Sequence, residues 1–219
     1  MSASRQQPGP VLRETGLVAI LRGRSGDRLD AACDVLLDNG VRCLEVTLNT
    51  PGALGAVRRL TTRSRPGLEV GAGTVRRPEQ VDAAAEAGAT FVVAPDTNPA
   101  VGERAAELGV GWFPGALTPT EIARAWDLGA TAVKVFPAGS AGGPRYLTEV
   151  RAPLDDVLLV PTGGVGLDDV VGYLRAGAVA VGMGSPLLGR ALEDDEDLGR
   201  LGDRARAAVD AVTDGRRSA

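Results

Sequence analysis

Short apolar runs recur along the chain at regular intervals. Their centres lie about 19 to 26 residues apart, which leaves room for a strand, a loop and a helix in each interval. The runs cover residues 17–21, 43–48, 69–71, 91–94, 110–113, 132–136, 157–161 and 178–181. Each run predicts a short strand.

The stretches between the runs are typical of helices that end at a glycine. The glycines at these junctions, each followed by Ala or Val, are Gly40, Gly88, Gly109, Gly129 and Gly177. A glycine just past a helix end adopts the left-handed conformation cheaply. Helix starts are predicted near Pro78, Thr118 and Leu167, where the residues fit capping or first-turn chemistry.

Strands that alternate with helices predict an α/β fold with parallel strands and right-handed crossovers. We expect a single-domain (β/α)₈ (TIM) barrel with short loops, because 219 residues is less than the roughly 250 such a barrel usually takes. An open doubly wound sheet is the rival, but no GxGxxG motif follows the first run. Residues 193–212 predict a closing helix, and residues 1–10 and 215–219 are expected to be flexible tails.

Composition excludes several classes of function. The net charge is −4 and the arginines are scattered, so neither a nucleic-acid nor a membrane partner is expected. No apolar run approaches the ~20 residues of a membrane span. The chain has no histidine, and its two cysteines, Cys33 and Cys43, are expected to be buried reduced thiols. We therefore expect no metal, no cofactor and no histidine-activated nucleophile.

Lys134 is the strongest chemical signal in the sequence. It is the only lysine among the 24 Lys and Arg residues of the chain. An arginine stays protonated near neutral pH, whereas a lysine can lose its proton and attack a carbonyl. Lys134 lies within an apolar strand, where burial would lower its pKa. The alternative is a structural lysine, held in a buried ion pair or reaching to solvent.

Glu45 is the second signal. It stands between Leu44 and Val46 in an apolar strand, so that it points to the opposite face from them. If those two residues pack against helices, Glu45 points into the barrel. A buried carboxylate facing a buried amine predicts a general base that acts beside an imine. A purely structural Glu45–Lys134 salt bridge is the alternative.

Glycine-rich segments follow the last two predicted strands. Gly163-Gly164 and Gly184-Ser185 offer backbone N–H groups that an anion can approach closely. The loops after strands 7 and 8 are the usual phosphate position in this fold. Either pair alone is equally compatible with tight turns, but together they favour a phosphorylated ligand.

A series of motifs resembles the 2-keto-3-deoxy-6-phosphogluconate (KDPG) aldolase family, the class I Schiff-base aldolases of the Entner–Doudoroff route. The matching segments are LEVTL (44–48), VGAGTV (70–75), FVVAP (91–95), FPGALTPTE (113–121), VKVFPA (133–138), GGPRYL (142–147), PTGGV (161–165) and AVGMGS (180–185). They occur in the same order as in the family.

The resemblance implies a role for each matching position. Lys134 would form the Schiff base and Glu45 would transfer protons. The implied substrate-binding positions are Thr74 for the keto-acid carboxylate, Pro95 and Phe136 for the pocket wall, Thr162 for a sugar hydroxyl, and Gly163, Gly164, Gly184 and Ser185 for the phosphate. The resemblance also implies a homotrimer that needs no metal and works in the cytoplasm.

One substrate-binding position departs from the family. Asn49 stands four residues after Glu45, where many members have an arginine that binds the substrate carboxylate. Asn49 removes a charge-assisted contact and is similar to the 2-keto-3-deoxy-6-phosphogalactonate (KDPGal) aldolases. Thr162 is instead similar to the gluconate enzymes, so the epimer preference stays open.

The function expected from these residues is reversible cleavage of KDPG to pyruvate and glyceraldehyde 3-phosphate. The alternatives within enzymes are cleavage of KDPGal or of 4-hydroxy-2-oxoglutarate. An alternative from another class is a catalytically silent trimer that binds a sugar phosphate.

Overall fold

A computed structural model describes residues 5–63, 67–193 and 197–217. The helices are α1 (Pro10–Thr15), α2 (Leu29–Asp38), α3 (Ala53–Thr62), α4 (Pro78–Glu86), α5 (Pro99–Glu107), α6 (Pro119–Asp127), α7 (Gly143–Arg151), α8 (Val170–Arg175), α9 (Ser185–Leu188) and α10 (Leu198–Arg217). The strands are β1 (Leu17–Leu21), β2 (Cys43–Thr47), β3 (Glu69–Gly73), β4 (Phe91–Val93), β5 (Gly111–Phe113), β6 (Gly115–Ala116), β7 (Val133–Val135), β8 (Leu159–Pro161) and β9 (Val181–Met183).

The strands pair in parallel throughout the described ranges. Six of them form a sheet in the order β5-β4-β3-β2-β1-β9, and three form a second sheet in the order β6-β7-β8. A parallel bridge between Thr162 and Gly182 connects the end of β8 to β9. The predicted α/β class with parallel strands is confirmed.

The strands of the described ranges form two sheets and not one continuous ring. The division falls at Pro114, which separates β5 from β6. Proline has no backbone N–H to donate, so it interrupts a ladder. The Pro114 carbonyl still accepts a hydrogen bond from the Lys134 amide at 2.9 Å, which links the sheets at this point.

Two apolar cores lie on opposite faces of the strands. Val18 and Ile20 belong to an inner cluster with Phe91, Val93 and Phe113. The alternate residues of the same strands, including those that flank Glu45, belong to the larger cluster that the helices cover. The alternation predicted for β2 is confirmed, and Glu45 therefore points to the inner face.

Ordered structure extends further at both ends than the sequence predicted. Helix α1 begins at Pro10, the last residue of the expected N-terminal tail, and its Leu12 is buried in the inner cluster. At the other end, α10 begins at Leu198 rather than 193 and continues to Arg217, with Gly215 buried. The Arg216 guanidinium donates to the carbonyls of Arg13 and Glu14, so the two ends are joined. Residues 1–4 and 218–219 of the expected tails lie outside the described residues.

The last strand lies later in the chain than predicted, at Val181–Met183 instead of 178–181. Glycine disfavours strands, and this misplaced the prediction towards the alanines and valines. In the structure a Cβ on Gly182 would lie 2.5 Å from Thr162 Oγ1, so the strand needs a residue without a side chain there.

The predicted helix ends are confirmed. All of the junction glycines have positive φ, from +67° at Gly109 to +92° at Gly129. The Thr118 hydroxyl accepts from the Glu121 amide, and the Glu121 carboxylate accepts from the Thr118 amide, which forms the capping box at the start of α6.

The two cysteines are free and buried, as predicted. Burial raises the pKa of Cys33 to about 12 and raises that of Cys43 well above its usual range. Within the ranges that the structure covers, no helix is both long and apolar enough to cross a membrane.

Helix α1 receives its N-terminal cap from a distant residue, which yields a testable prediction. The buried Glu69 carboxylate accepts hydrogen bonds from the Val11 and Leu12 amides at 3.0 and 3.2 Å. We expect Glu69→Ala to lower the free energy of unfolding in urea by about 1–3 kcal/mol, because two buried donors lose a charged acceptor.

The control for that change is Glu103→Ala on the exposed side of α5. It should alter the free energy of unfolding by no more than about 0.5 kcal/mol. Equal stabilities for the two variants would show that α1 is not held by Glu69.

Candidate active site

Lys134 and Glu45 both point to the inner face of the strands. Lys134 is the central residue of β7, paired between Gly115 and Val160. Glu45 is the central residue of β2, paired between Ile20 and Gly71. Their residues are only 4% and 2% exposed. Both line one small internal cavity, whose other walls are Leu12, Val18, Phe91, Val93, Phe113, Val160, Thr162 and Gly182.

The surroundings of Lys134 favour its neutral amine. Burial lowers the pKa of Lys134, the Glu45 carboxylate raises it, and the Arg22 guanidinium lowers it again. Desolvation is the largest of these effects, so the pKa lies below that of an ordinary lysine. The ring of Phe136 faces the amine, with its centroid 4.9 Å from Nζ.

The surroundings of Glu45 favour the protonated acid. Burial raises the pKa of Glu45, while Lys134 and Arg22 lower it by smaller amounts. Glu45 Oε1 is buried and accepts no hydrogen bond from the described residues. No ion pair within 4.0 Å joins Glu45 to Lys134 among those residues, which argues against a purely structural salt bridge.

Gly73, at the end of β3, makes room for the Glu45 carboxylate. A Cβ at Gly73 would lie 1.9 Å from Glu45 Oε1. No side chain fits at that distance, so the position of the carboxylate depends on a glycine in the neighbouring strand.

Thr74 follows Gly73 and has an uncommon backbone conformation. Its φ is +60°, the only positive φ of a non-glycine residue in the described ranges. A β-branched residue adopts this conformation at a cost, and such residues cluster at functional sites. Thr74 Oγ1 accepts a hydrogen bond from Arg22 Nη2 at 3.4 Å.

Arg22 is a residue of this site that the sequence analysis did not single out. It comes directly after β1, at the end of the strands where Thr74 lies, and its charge acts on both Lys134 and Glu45. The signal was its position at a strand end, the same signal that drew attention to Thr74. Among so many arginines, the residue type gave no further indication.

The two glycine pairs lie beyond the ends of neighbouring strands. Gly163 and Gly164 follow β8 with φ of +84° and +75°, and Gly184 and Ser185 begin α9 directly after β9. Thr162 precedes the first pair and is buried, with Oγ1 donating to the Val160 carbonyl at 3.3 Å. These positions surround the same end of the strands as Arg22 and Thr74.

The remaining predicted residues do not line that internal cavity. Pro95 and Phe136 line a cleft of about 330 Å³ together with Glu121 and Arg124. Asn49 is exposed and lines a separate groove between α3 and α4. The structure therefore groups Pro95 and Phe136 beside the internal site, whereas it does not bring Asn49 to it. In the described ranges, no group of three His, Cys, Asp or Glu residues could hold a metal.

In this chain a parallel α/β fold thus holds a buried amine and a buried carboxylate. The family model described as KDPG and KHG aldolase matches residues 10–203. The chain belongs to this family, and the resemblance stated from its motifs is confirmed.

Individual relatives support the same assignment. The chain is 32% identical over 212 residues to the 2-dehydro-3-deoxy-phosphogluconate aldolase of Haemophilus influenzae, covering 97% of this chain and 100% of that protein. It is 36% identical over 172 residues to the 2-dehydro-3-deoxy-6-phosphogalactonate aldolase of Escherichia coli, covering 78% and 83%.

A solved structure is similar as well. It is the KDPG aldolase of Legionella pneumophila with pyruvate captured at low pH as a covalent carbinolamine intermediate. That structure is 26% identical with a TM-score of 0.79, and the match covers 92% of this chain and 98% of that one.

Because Lys134 is the only lysine of the chain, its pKa can be measured directly. Labelling with ¹³Cε-lysine gives one side-chain NMR signal, and we expect it to titrate below the value of about 10.4 of an ordinary lysine. Replacing Glu45 by Gln removes a charge that raises the Lys134 pKa, so the midpoint should fall further. Arg22→Ala removes a charge that lowers the pKa, so the midpoint should rise.

Arg58→Ala on the exposed face of α3 serves as the control and should leave the midpoint unchanged. A wild-type midpoint at or above that of free lysine would contradict the burial of a neutral amine.

Proposed function

We propose that this chain is a class I aldolase that reversibly cleaves KDPG to pyruvate and glyceraldehyde 3-phosphate. The observation that carries the proposal is the pairing of Lys134 and Glu45 in one buried cavity. Burial lowers the pKa of the Lys134 amine and raises that of the Glu45 carboxyl, which are the directions that a nucleophile and a proton carrier need near neutral pH.

The reaction begins at Lys134. The lone pair of its neutral Nζ attacks the C2 ketone of the substrate and forms a carbinolamine. Protonated Glu45 gives its proton to the carbinolamine hydroxyl, which leaves as water, so that an iminium ion with C2 bonded to Nζ and a Glu45 carboxylate result. The pyruvate carbinolamine named for the similar Legionella pneumophila enzyme supports this step.

Glu45 then removes the proton of the C4 hydroxyl. The C3–C4 bond breaks as C4 becomes the aldehyde of glyceraldehyde 3-phosphate, and the bonding electrons move to the iminium, which becomes an enamine. Protonated Glu45 gives this proton to C3, which restores an iminium ion, and hydrolysis of the iminium releases pyruvate and neutral Lys134 while the Glu45 carboxylate takes up the proton set free. Glu45 Oε1 accepts no hydrogen bond from the described residues, so it is available to accept a substrate proton, which supports this role.

Arg22 and Thr74 are the groups that we assign to the substrate carboxylate. The Arg22 guanidinium and the Thr74 hydroxyl are 3.4 Å apart at the ends of β1 and β3, so one carboxylate can accept hydrogen bonds from both. Arg22 thereby replaces the cationic contact that Asn49 lacks. Its charge also favours the neutral form of Lys134.

The backbone N–H groups of the glycine pairs are the proposed phosphate site. Gly163, Gly164, Gly184 and Ser185 lie after neighbouring strands linked by the bridge between Thr162 and Gly182. Their small side chains leave the amides accessible to an anion. Thr162 is proposed to contact a sugar hydroxyl, and Pro95 and Phe136 to form the outer wall of the pocket.

The two sheets together form the proposed single-domain (β/α)₈ barrel. The pairing of the first strand, β1, with the last, β9, supports closure, as do the bridge from β8 to β9 and the link through Pro114. A homotrimer that works in the cytoplasm is part of the same proposal, and family membership supports it.

A covalent adduct tests the mechanism. We expect pyruvate and borohydride to give a stable adduct on Lys134, because borohydride reduces the iminium to a secondary amine. Lys134→Arg should give no adduct and no pyruvate release, while Arg58→Lys, which adds a lysine outside the site, should leave both intact. Mass spectrometry locates the adduct. A folded, active protein that forms no adduct on Lys134 contradicts the mechanism.

Turnover of related substrates tests the specificity. We expect KDPG to be cleaved with a kcat/KM about 10- to 100-fold higher than that of 4-hydroxy-2-oxoglutarate, since one or two charge-assisted hydrogen bonds to phosphate are worth that factor. A coupled pyruvate-release assay on KDPG and KDPGal gives the epimer preference.

The matched variant for the epimer is Thr162→Val, which keeps the shape of the side chain and removes its hydroxyl. It should lower the ratio of KDPG to KDPGal turnover. A wild-type preference for KDPGal would favour the galactonate alternative, and ligand binding with no pyruvate release would favour the silent trimer.

A further inference from the structure

Two buried threonine hydroxyls hold the backbone on either side of Arg22. The Thr47 hydroxyl donates to the Leu21 carbonyl at 3.2 Å, just before Arg22. The Gly23 amide, just after it, donates to Thr50 Oγ1 at 3.1 Å. The two hydroxyl oxygens are 3.1 Å apart.

The direction of each hydrogen bond in this series of four residues is fixed. Because Thr47 gives its one proton to the Leu21 carbonyl, the bond between the two hydroxyls must be donated by Thr50. Thr50 in turn accepts from the Gly23 amide. Each hydroxyl therefore donates once and accepts once, and the order runs from Gly23 through Thr50 and Thr47 to Leu21.

The hydrogen bonds of the two threonine hydroxyls lie just beyond the end of the backbone pairing between β1 and β2. The last register pair between β1 and β2 is Leu21 with Val46, and Arg22 lies beyond it. Thr47 and Thr50 are 0% and 2% exposed, whereas the Arg22 side chain lies at the exposed rim. The loop that carries Arg22 is thus tied to the loop after β2 by buried side chains in place of backbone pairing.

We propose that Thr47 and Thr50 are positioning residues, which fix Arg22 so that the site selects substrates with a carboxylate beside the ketone. This inference rests on the proposed function. A merely structural role for the same hydroxyls would make their loss lower the amount of folded protein, without a change in preference between charged and uncharged substrates.

The test compares pyruvate with pyruvamide, in which an uncharged amide replaces the carboxylate. Borohydride trapping on Lys134 is measured over a range of each ligand. For Thr50→Val we expect the half-saturating pyruvate concentration to rise about tenfold, the worth of one well-placed hydrogen bond to a charged group. The value for pyruvamide and the maximal trapping rate should change less than about twofold.

Two further variants complete the design. Thr50→Ser, which keeps the hydroxyl, should restore the pyruvate value to within about twofold of wild type. In the Arg22→Ala background, Thr50→Val should have no additional effect on pyruvate, because the group that it positions is absent.

The half-saturating concentrations of pyruvate and pyruvamide are measured on the same protein sample, so loss of folded protein does not change their ratio. If Thr50→Val does not fold, Thr47→Val is used in the same comparison. Equal effects on pyruvate and pyruvamide, or additive effects with Arg22→Ala, overturn the inference. Failure of wild type to form any pyruvate adduct overturns the proposed function instead.

Discussion

The structure depends on the burial of an amine and a carboxyl group among apolar side chains. Lys134 and Glu45 come from strands of different sheets, and each is almost fully removed from solvent. Burial penalises a charged amine and a charged carboxylate alike, so it shifts the two pKa values towards each other. Their mutual attraction offsets only part of that penalty. The fold therefore supplies, mainly through burial, an amine that can react and an acid that can carry a proton.

Glycine in the strands is the packing counterpart of this burial. Gly73 leaves the space that the Glu45 carboxylate occupies, and Gly71 leaves space for the ring of Phe91. Gly182 does the same for the Thr162 side chain in the neighbouring strand. Strand glycines lower local stability, but here each allows a larger side chain from the next strand to point inwards. These three glycines therefore make room for the side chains of Glu45, Phe91 and Thr162 on the inner face.

The sequence predicted those features that local patterns determine. β1 was predicted with its observed bounds, and alternation around Glu45 gave the correct inward direction. Features that depend on distant contacts were missed. The last strand was misplaced because the need for Gly182 comes from Thr162, and α1 was missed because its cap comes from Glu69. Arg22 was missed for the same reason, since its partner Thr74 is far away in sequence.

The position of α1 has a consequence for the access of substrate and water to Lys134. Leu12 fills the end of the ring opposite to Arg22 and Thr74, where it joins the inner cluster beside Cys43 and Ala132. Leu12 also lines the cavity that holds Lys134 and Glu45, so α1 contributes a wall to that cavity. Under the proposed function, keto acid and water therefore reach Lys134 from the end of the strands that carries Arg22 and Thr74.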